Sequence, residues 1–204
     1  MTRSTSLIVG NGPVADAVAQ RLKAETDGAV VLLETPDAAA LPDRIAAFVI
    51  VASPTEEPAL FLDIDDARLD TQLARFADLF ECLGVVLGRL DDNGAVLLIG
   101  DRGYLGAWGA SDASAFSGAY AALMRCVALE GFGRGHRANT IALDLAGDGS
   151  DVDADEVARL AAYLVSAESE TINGEIVLAN RGRSLRMREA RDRHAALASK
   201  GSPA

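Results

Sequence analysis

Gly94-Ala-Val-Leu-Leu-Ile-Gly-Asp101 is the stretch that decides the fold. Residues 95–99 (AVLLI) are apolar without interruption. A strand open to water on one face alternates apolar and polar residues, so an unbroken run indicates cover on both faces. Upstream, Asp91-Asp-Asn-Gly94 reads as a turn. Downstream lie a helical segment at about 111–130 and another strand at 140–145. The pattern continues in both directions. On the N-terminal side come 6–9 (SLIV), a helix opened by Pro13 and lasting to about 23, strands at 29–33 (AVVLL) and 47–51 (AFVIV), and a long amphipathic helix at about 66–90. On the C-terminal side come a helix at 155–165 and a last strand at 175–178 (EIVL). Buried-type strands alternating with helices predict an α/β fold, a doubly wound parallel sheet in three α/β/α layers.

Composition narrows the class. Half of the 204 residues are hydrophobic, which supports a real core and excludes disorder. The net charge of −11 argues against nucleic acid or an anionic membrane as a partner. The charge is uneven. Residues 1–180 carry 28 acids against 12 basic residues, whereas 181–204 carry seven basic residues against two acids. Six of those seven are arginines within 181–193, suited to clamping carboxylates or phosphates of a partner subunit or a phosphate-bearing carrier, or else a solvated tail. The expected organisation is one domain over 1–186 and an Arg/Ala-rich tail over 187–204. No signal peptide or membrane-length apolar run is evident, so a cytoplasmic protein is expected. Cys82 and Cys126 lie in apolar helical segments and are expected to be buried and inert. With only His136 and His194 beside them, no metal-ligand spacing exists. Asp151-Val-Asp-Ala-Asp-Glu156 starts like a calcium loop but has Glu156 where Gly belongs and Ala162 where a bidentate Glu belongs. Acids at a helix start explain it more simply.

The first strand-to-helix turn, Gly10-Asn-Gly-Pro-Val-Ala15, fits G-x-G-x-x-A. Glycines let backbone N–H groups approach a pyrophosphate at a helix N-terminus. Glu34 stands 24 residues after Gly10, near the place of a ribose-binding acid. Gly10, Gly12 and Glu34 are therefore the candidate cofactor residues, for NAD. Equally, Gly10 makes a turn, Gly12-Pro13 starts a helix and Glu34 is a solvated strand end.

Four segments together resemble the short-chain dehydrogenase/reductase family. Gly94-Ala-Val-Leu-Leu-Ile-Gly-Asp101 resembles its G-x-I-V-N-I-S-S strand. Ala121-Ala-Leu-Met-Arg-Cys-Val-Ala-Leu-Glu130 resembles its central helix. His136-Arg-Ala-Asn-Thr-Ile-Ala-Leu-Asp144 resembles I-R-V-N-x-I-A-P-G. Residues 157–186, with Ile172-Asn-Gly-Glu-Ile-Val-Leu178 and Arg181-Gly-Arg-Ser-Leu185, resemble the end of the fold. The resemblance implies a Rossmann-like sheet.

The family's chemistry rests on Y-x-x-x-K: the phenol exchanges a proton with the substrate oxygen and the ammonium lowers its pKa. Counting back from Glu130 puts the phenol position at Ala113 and the ammonium position at Ser117. The carbonyl-orienting Ser falls at Gly100 or Asp101, and the family's Asn falls near Gln72–Leu73. No register rescues the motif, because four residues after Tyr104, Tyr120 and Tyr163 stand Trp108, Met124 and Ala167. The chain has 17 arginines but only two lysines, Lys23 and Lys200. Tyr120 is seven residues past Ala113, about 10 Å along a helix, and suits a core or interface role. Trp108 suits packing or a cap on a vestigial pocket. Other family features are altered. The glycine loop carries Pro13 and Ala15, Val51-Ala-Ser-Pro54 replaces N-N-A-G, and the substrate lid shrinks to 146–154.

The resemblance also implies a four-helix bundle formed by the two long helices across a two-fold axis, and a second contact through the last helix and strand. The helix at 111–130 is rich in Ala, Ser and Gly. These readings lead to a non-catalytic subunit, with no productively bound cofactor, supporting an active dehydrogenase in a hetero-oligomer. The thioester substrate class, β-hydroxyacyl or β-ketoacyl, comes from the resemblance alone. The alternatives are a homodimeric nucleotide- or ligand-binding regulator and an enzyme with chemistry moved to Asp101, Tyr104 or Asp112.

Overall fold

A computed structural model describes residues 4–37, 39–52, 59–106, 109–143 and 153–179. Six strands form one parallel sheet: β1 (Thr5–Val9), β2 (Ala29–Leu33), β3 (Ile45–Val51), β4 (Leu90–Asp101), β5 (Arg137–Leu143) and β6 (Ile176–Ala179), in the order β2-β1-β3-β4-β5-β6. Helices α1 (Gly12–Glu25) and α4 (Ala154–Val165) pack on one face, and α2 (Asp66–Arg89) and α3 (Ser111–Glu130) on the other. This is the expected Rossmann-like α/β/α arrangement. A Rossmann sheet ordered 3-2-1-4-5-6 has two strands beyond its first; here only β2 lies beyond β1.

Each face of the sheet has its own core. Ile8, Val49, Leu97 and Ile141 meet Val18, Leu22 and Ala161 on the α1/α4 side. Leu7, Phe48, Ile50 and Val96 meet Leu79, Leu83, Val86 and Met124 on the other. Successive strand residues thus enter opposite layers, the physical basis of the unbroken apolar runs.

Three expectations are corrected. β2 is not a fully buried strand: Ala29 and Leu32 are exposed. It is the sheet edge, and the described part of the connection 34–44 carries no helix to cover it. The turn at 91–94 lies within β4 as a bulge. Ile45 pairs with Leu90 and Ala47 with Ala95, so four residues stand opposite Ala46. Cys82 is buried, but Cys126 is exposed, on the side of α3 away from Met124 and Val127. The shortened lid at 146–154 lies outside the described residues except for Asp153 and Ala154, and the tail over 187–204 lies wholly outside them.

Candidate functional site

Connections leave β1 and β3 in opposite senses: α1 returns over one face of the sheet and α2 over the other. Such a switch point opens a crevice at the C-terminal ends of the strands. Gly10 and Gly12 sit there. Gly10, at φ +140°, is pressed against β3, and a Cβ added to it would stand 2.5 Å from the Val51 carbonyl oxygen. Gly12, at φ +84°, has open space around it. The Gly10 N–H donates to the Leu33 carbonyl at 2.8 Å, which brings the exposed Glu34 beside the glycine turn. The three candidate cofactor residues therefore converge at one end of the sheet.

The donor set of this turn is thin. α1 starts at Gly12, so Pro13 occupies its second position and removes one N–H from the first turn. Asn11 precedes the helix without capping it through its side chain. The backbone can still approach a phosphate at Gly12 and Val14, and Glu34 can accept from a sugar hydroxyl. Lys23 lies in the last turn of the same helix, about 17 Å from Gly12 along the axis.

The second half of the crevice is the end of β4. Asp101 accepts from the Gly103 N–H at 2.5 Å and opens a 3-10 turn over Arg102–Leu105. Ser117 ties this turn to α3. Its hydroxyl donates to the Asp101 carbonyl at 2.7 Å and accepts from the Tyr104 N–H at 3.2 Å. Ala113 stands one turn before it, half-buried. At the resemblance's Asn position, Leu73 points outward while Gln72 is buried with no hydrogen-bond partner for its Nε2.

Charge enters through Asp112. Burial pushes its carboxyl up, but the Arg68 guanidinium and the Ala113 N–H outweigh this and hold it below the usual carboxylate range. That carboxylate is committed to Arg68, at 2.5 Å and 3.2 Å. Tyr120 packs its ring 5.3 Å from Phe76, and burial raises its phenol. It belongs to the α2/α3 contact, as its spacing suggested. Among the described residues no three His, Cys, Asp or Glu side chains cluster as metal ligands. Asp153 instead caps α4, accepting from the N–H groups of Asp155 and Glu156. Residues 53–54, Trp108, Asp151, His194 and Lys200 lie outside the described residues. No described helix is long and apolar enough to cross a membrane.

The sequence signals missed Arg137 and Asn139, whose partners are distant. Arg137, 6% exposed, donates to the Leu164 and Ser166 carbonyls at the end of α4. Asn139 donates to the Ile172 carbonyl and accepts from the Glu175 N–H, seating β6. The R-x-N spacing was a family motif without a visible mechanism.

No protein-family model matches the chain, and no curated protein matches it. Solved structures do. A Serratia marcescens short-chain dehydrogenase/reductase double mutant is 18% identical, with a TM-score of 0.75 over 88% of this chain and 96% of that one. A Brucella melitensis short-chain dehydrogenase/reductase of the glucose/ribitol dehydrogenase type is also 18% identical, with a TM-score of 0.75 over 88% and 95%. A promiscuous reductase that catalyses keto-reduction at C1 during lugdunomycin biosynthesis is 19% identical, with a TM-score of 0.73 over 89% and 98%. The likeness is one of architecture: this chain has the fold of the short-chain dehydrogenases/reductases.

Proposed function

We propose that this chain is a catalytically inactive, short-chain-dehydrogenase-like subunit that assembles with an active dehydrogenase and supports it. The substrate class of the assembly, a β-hydroxyacyl or β-ketoacyl thioester, follows from the resemblance. One observation carries the reading. At the ammonium position stands Ser117, whose hydroxyl is hydrogen-bonded on both sides within the protein. It offers no positive charge to lower a phenol's pKa, and Ala113 offers no phenol.

The outward face of α2 and α3 supports assembly. Leu69, Leu73, Phe76 and Phe80 form one line along α2, and the Phe76 ring packs against Phe116 and Tyr120 of α3. Leu73 and Phe80 are more than half exposed, at 55% and 57%, and Leu62, just before α2, is 92% exposed. Such an apolar patch marks an interaction surface. Gly84 and Gly118 add an energetic argument. A glycine inside a helix costs about 1 kcal/mol relative to alanine. A Cβ at either position would meet no atom of the described residues within 4 Å. The room they leave is for another chain.

The test is co-expression with an active short-chain dehydrogenase from the same genome, followed by co-purification, native mass and thioester turnover. A stoichiometric complex that forms with the wild type and is lost with Gly118→Leu is expected, with no turnover by this chain alone. Turnover by the chain alone, abolished at Asp101, Tyr104 or Asp112, overturns the proposal. A second reading, an NAD-binding homodimeric regulator, draws on the convergence of Gly10, Gly12 and Glu34. Calorimetric titration with NAD and NADP tests it, and no heat of binding excludes it.

A further inference from the structure

We infer that the partner seated on the α2/α3 face is a different protein whose own apolar face is edged with Arg or Lys, not a second copy of this chain. The inference rests on the assembly reading above and comes from the charges bordering that face.

At 100° per residue, Asp66, Asp70 and Glu81 fall on one line of α2. That line lies roughly 80–90° round the helix from Leu69, Leu73, Phe76 and Phe80, so the acids edge the apolar stripe. All three are exposed, and none is in an ion pair among the described residues. The arginines of α2 point elsewhere. Arg68 is tied to Asp112, and Arg89 donates to the Leu41 carbonyl at 2.6 Å. Arg75 lies about 140° round from Asp70, where its charge acts on the Tyr120 phenol. On α3, the exposed line Ala115, Ala122 and Leu129 carries no charge, nor does the neighbouring Cys126. Arg125 of α3 is exposed but lies 180° round that helix from Phe116, which packs on α2, and donates to the Gly174 carbonyl at 3.4 Å. The face is therefore apolar with an anionic edge along α2 that pairs with no cation among the described residues.

Symmetry makes this edge selective. A two-fold contact uses the same patch on both subunits, so a second copy would bring a second row of acids to the same seam. Like charges at an interface disfavour the wrong partner, and the net charge of −11 on each chain adds to the repulsion. A partner with a cationic edge replaces that repulsion with attraction while covering the same leucines and phenylalanines.

A charge-reversed copy of the full chain, Asp70→Lys with Glu81→Lys, serves as the probe, with sedimentation velocity as the readout. Wild type alone is expected to sediment as a monomer. Mixing it with the reversed copy is expected to give a one-to-one dimer at low salt. The apparent Kd should be at least about tenfold tighter than wild-type self-association, reverting at high salt. Leu73→Asp in the reversed copy should abolish the dimer. A wild-type dimer that Leu73→Asp dissociates would identify a second copy as the occupant, overturning this inference while leaving assembly through the face intact. A mixture as monomeric as its components would also overturn it. Failure of the assembly reading shows separately, as no complex with an active dehydrogenase on co-expression.

Discussion

Arg68 of α2 forks onto Asp112 of α3, with Nε 2.5 Å from one carboxylate oxygen and Nη2 3.2 Å from the other. The pair joins the first turns of the two helices that carry the outward face. The Asp112 side chain has no exposure, whereas that of Arg68 retains 15%. Removing one partner of a buried pair strands the other. Arg68→Ala leaves a carboxylate that cannot reach water and should cost about 3–5 kcal/mol. Asp112→Ala leaves a long cation that can swing outward and should cost less, about 1–2 kcal/mol. Urea unfolding of both variants checks the order. Because the folded carboxyl lies below its ordinary value, the pair's contribution is present above about pH 3.9 and is lost as pH falls through the folded value.

Gly10 and Gly12 share a motif but should respond differently to alanine. At Gly10 the new Cβ would meet the Val51 carbonyl oxygen at 2.5 Å and the Val51 Cβ at 2.8 Å, both close to backbone that cannot yield cheaply. Gly10→Ala should destabilise by about 2–4 kcal/mol, the range of other severe core misfits. Gly12→Ala meets only its own backbone preference at φ +84°, worth about 1–2 kcal/mol. Thermal melts should separate the two clearly. Gly12→Ala then remains folded enough for NAD titration.

Local signals are legible in the sequence because their causes are local. The strand Ala29–Leu33 and the helix Ser111–Glu130 have the bounds that the apolar run and helical segment predicted. Exposure was harder, since it depends on what lies alongside. The AVVLL run looks like an interior strand, and only the sheet order shows β2 at the edge. Cys82 follows the inward line of Leu79, Leu83 and Val86, but α3 is small and apolar on most sides, so its sequence did not show that Cys126 faces out. The same split holds at the site. The glycine turn and Glu34 are written within 25 residues of each other. The double hydrogen bond of Ser117 and the burial of Gln72 depend on packing between separate elements.

His136 should make folding pH-sensitive. It is 3% exposed, and its Nε2 has no hydrogen-bond partner. Burial chiefly, with Arg134 adding to it, lowers its pKa below the ordinary histidine value. The folded state therefore resists a proton that the unfolded chain accepts. Stability is full above about pH 6.5 and declines as pH falls from there through the folded pKa. Melting temperatures across pH 7.5 to 5.5 should fall for wild type and flatten in a His136→Gln variant. An equal fall in both would place the sensitivity elsewhere.

Arg137 closes α4 from within the sheet. Its Nη1 lies 2.9 Å from the Leu164 carbonyl and 2.6 Å from Ser169 Oγ, and its Nη2 lies 2.8 Å from the Ser166 carbonyl. The last carbonyls of a helix lack partners of their own and carry the negative end of its dipole, so a forked cation there satisfies several groups at once. Lysine keeps the charge but brings a single ammonium without the fork. Arg137→Lys should therefore destabilise by about 2 kcal/mol, and Arg137→Met by more, about 3–4 kcal/mol, because it leaves buried carbonyls unpaired. The loss should be local. Hydrogen exchange should quicken first at the end of α4 and in β6, which joins the sheet through β5, while β1 and β3 keep their protection. Uniform loss of protection across the sheet would show that Arg137 supports the whole domain and not this one corner.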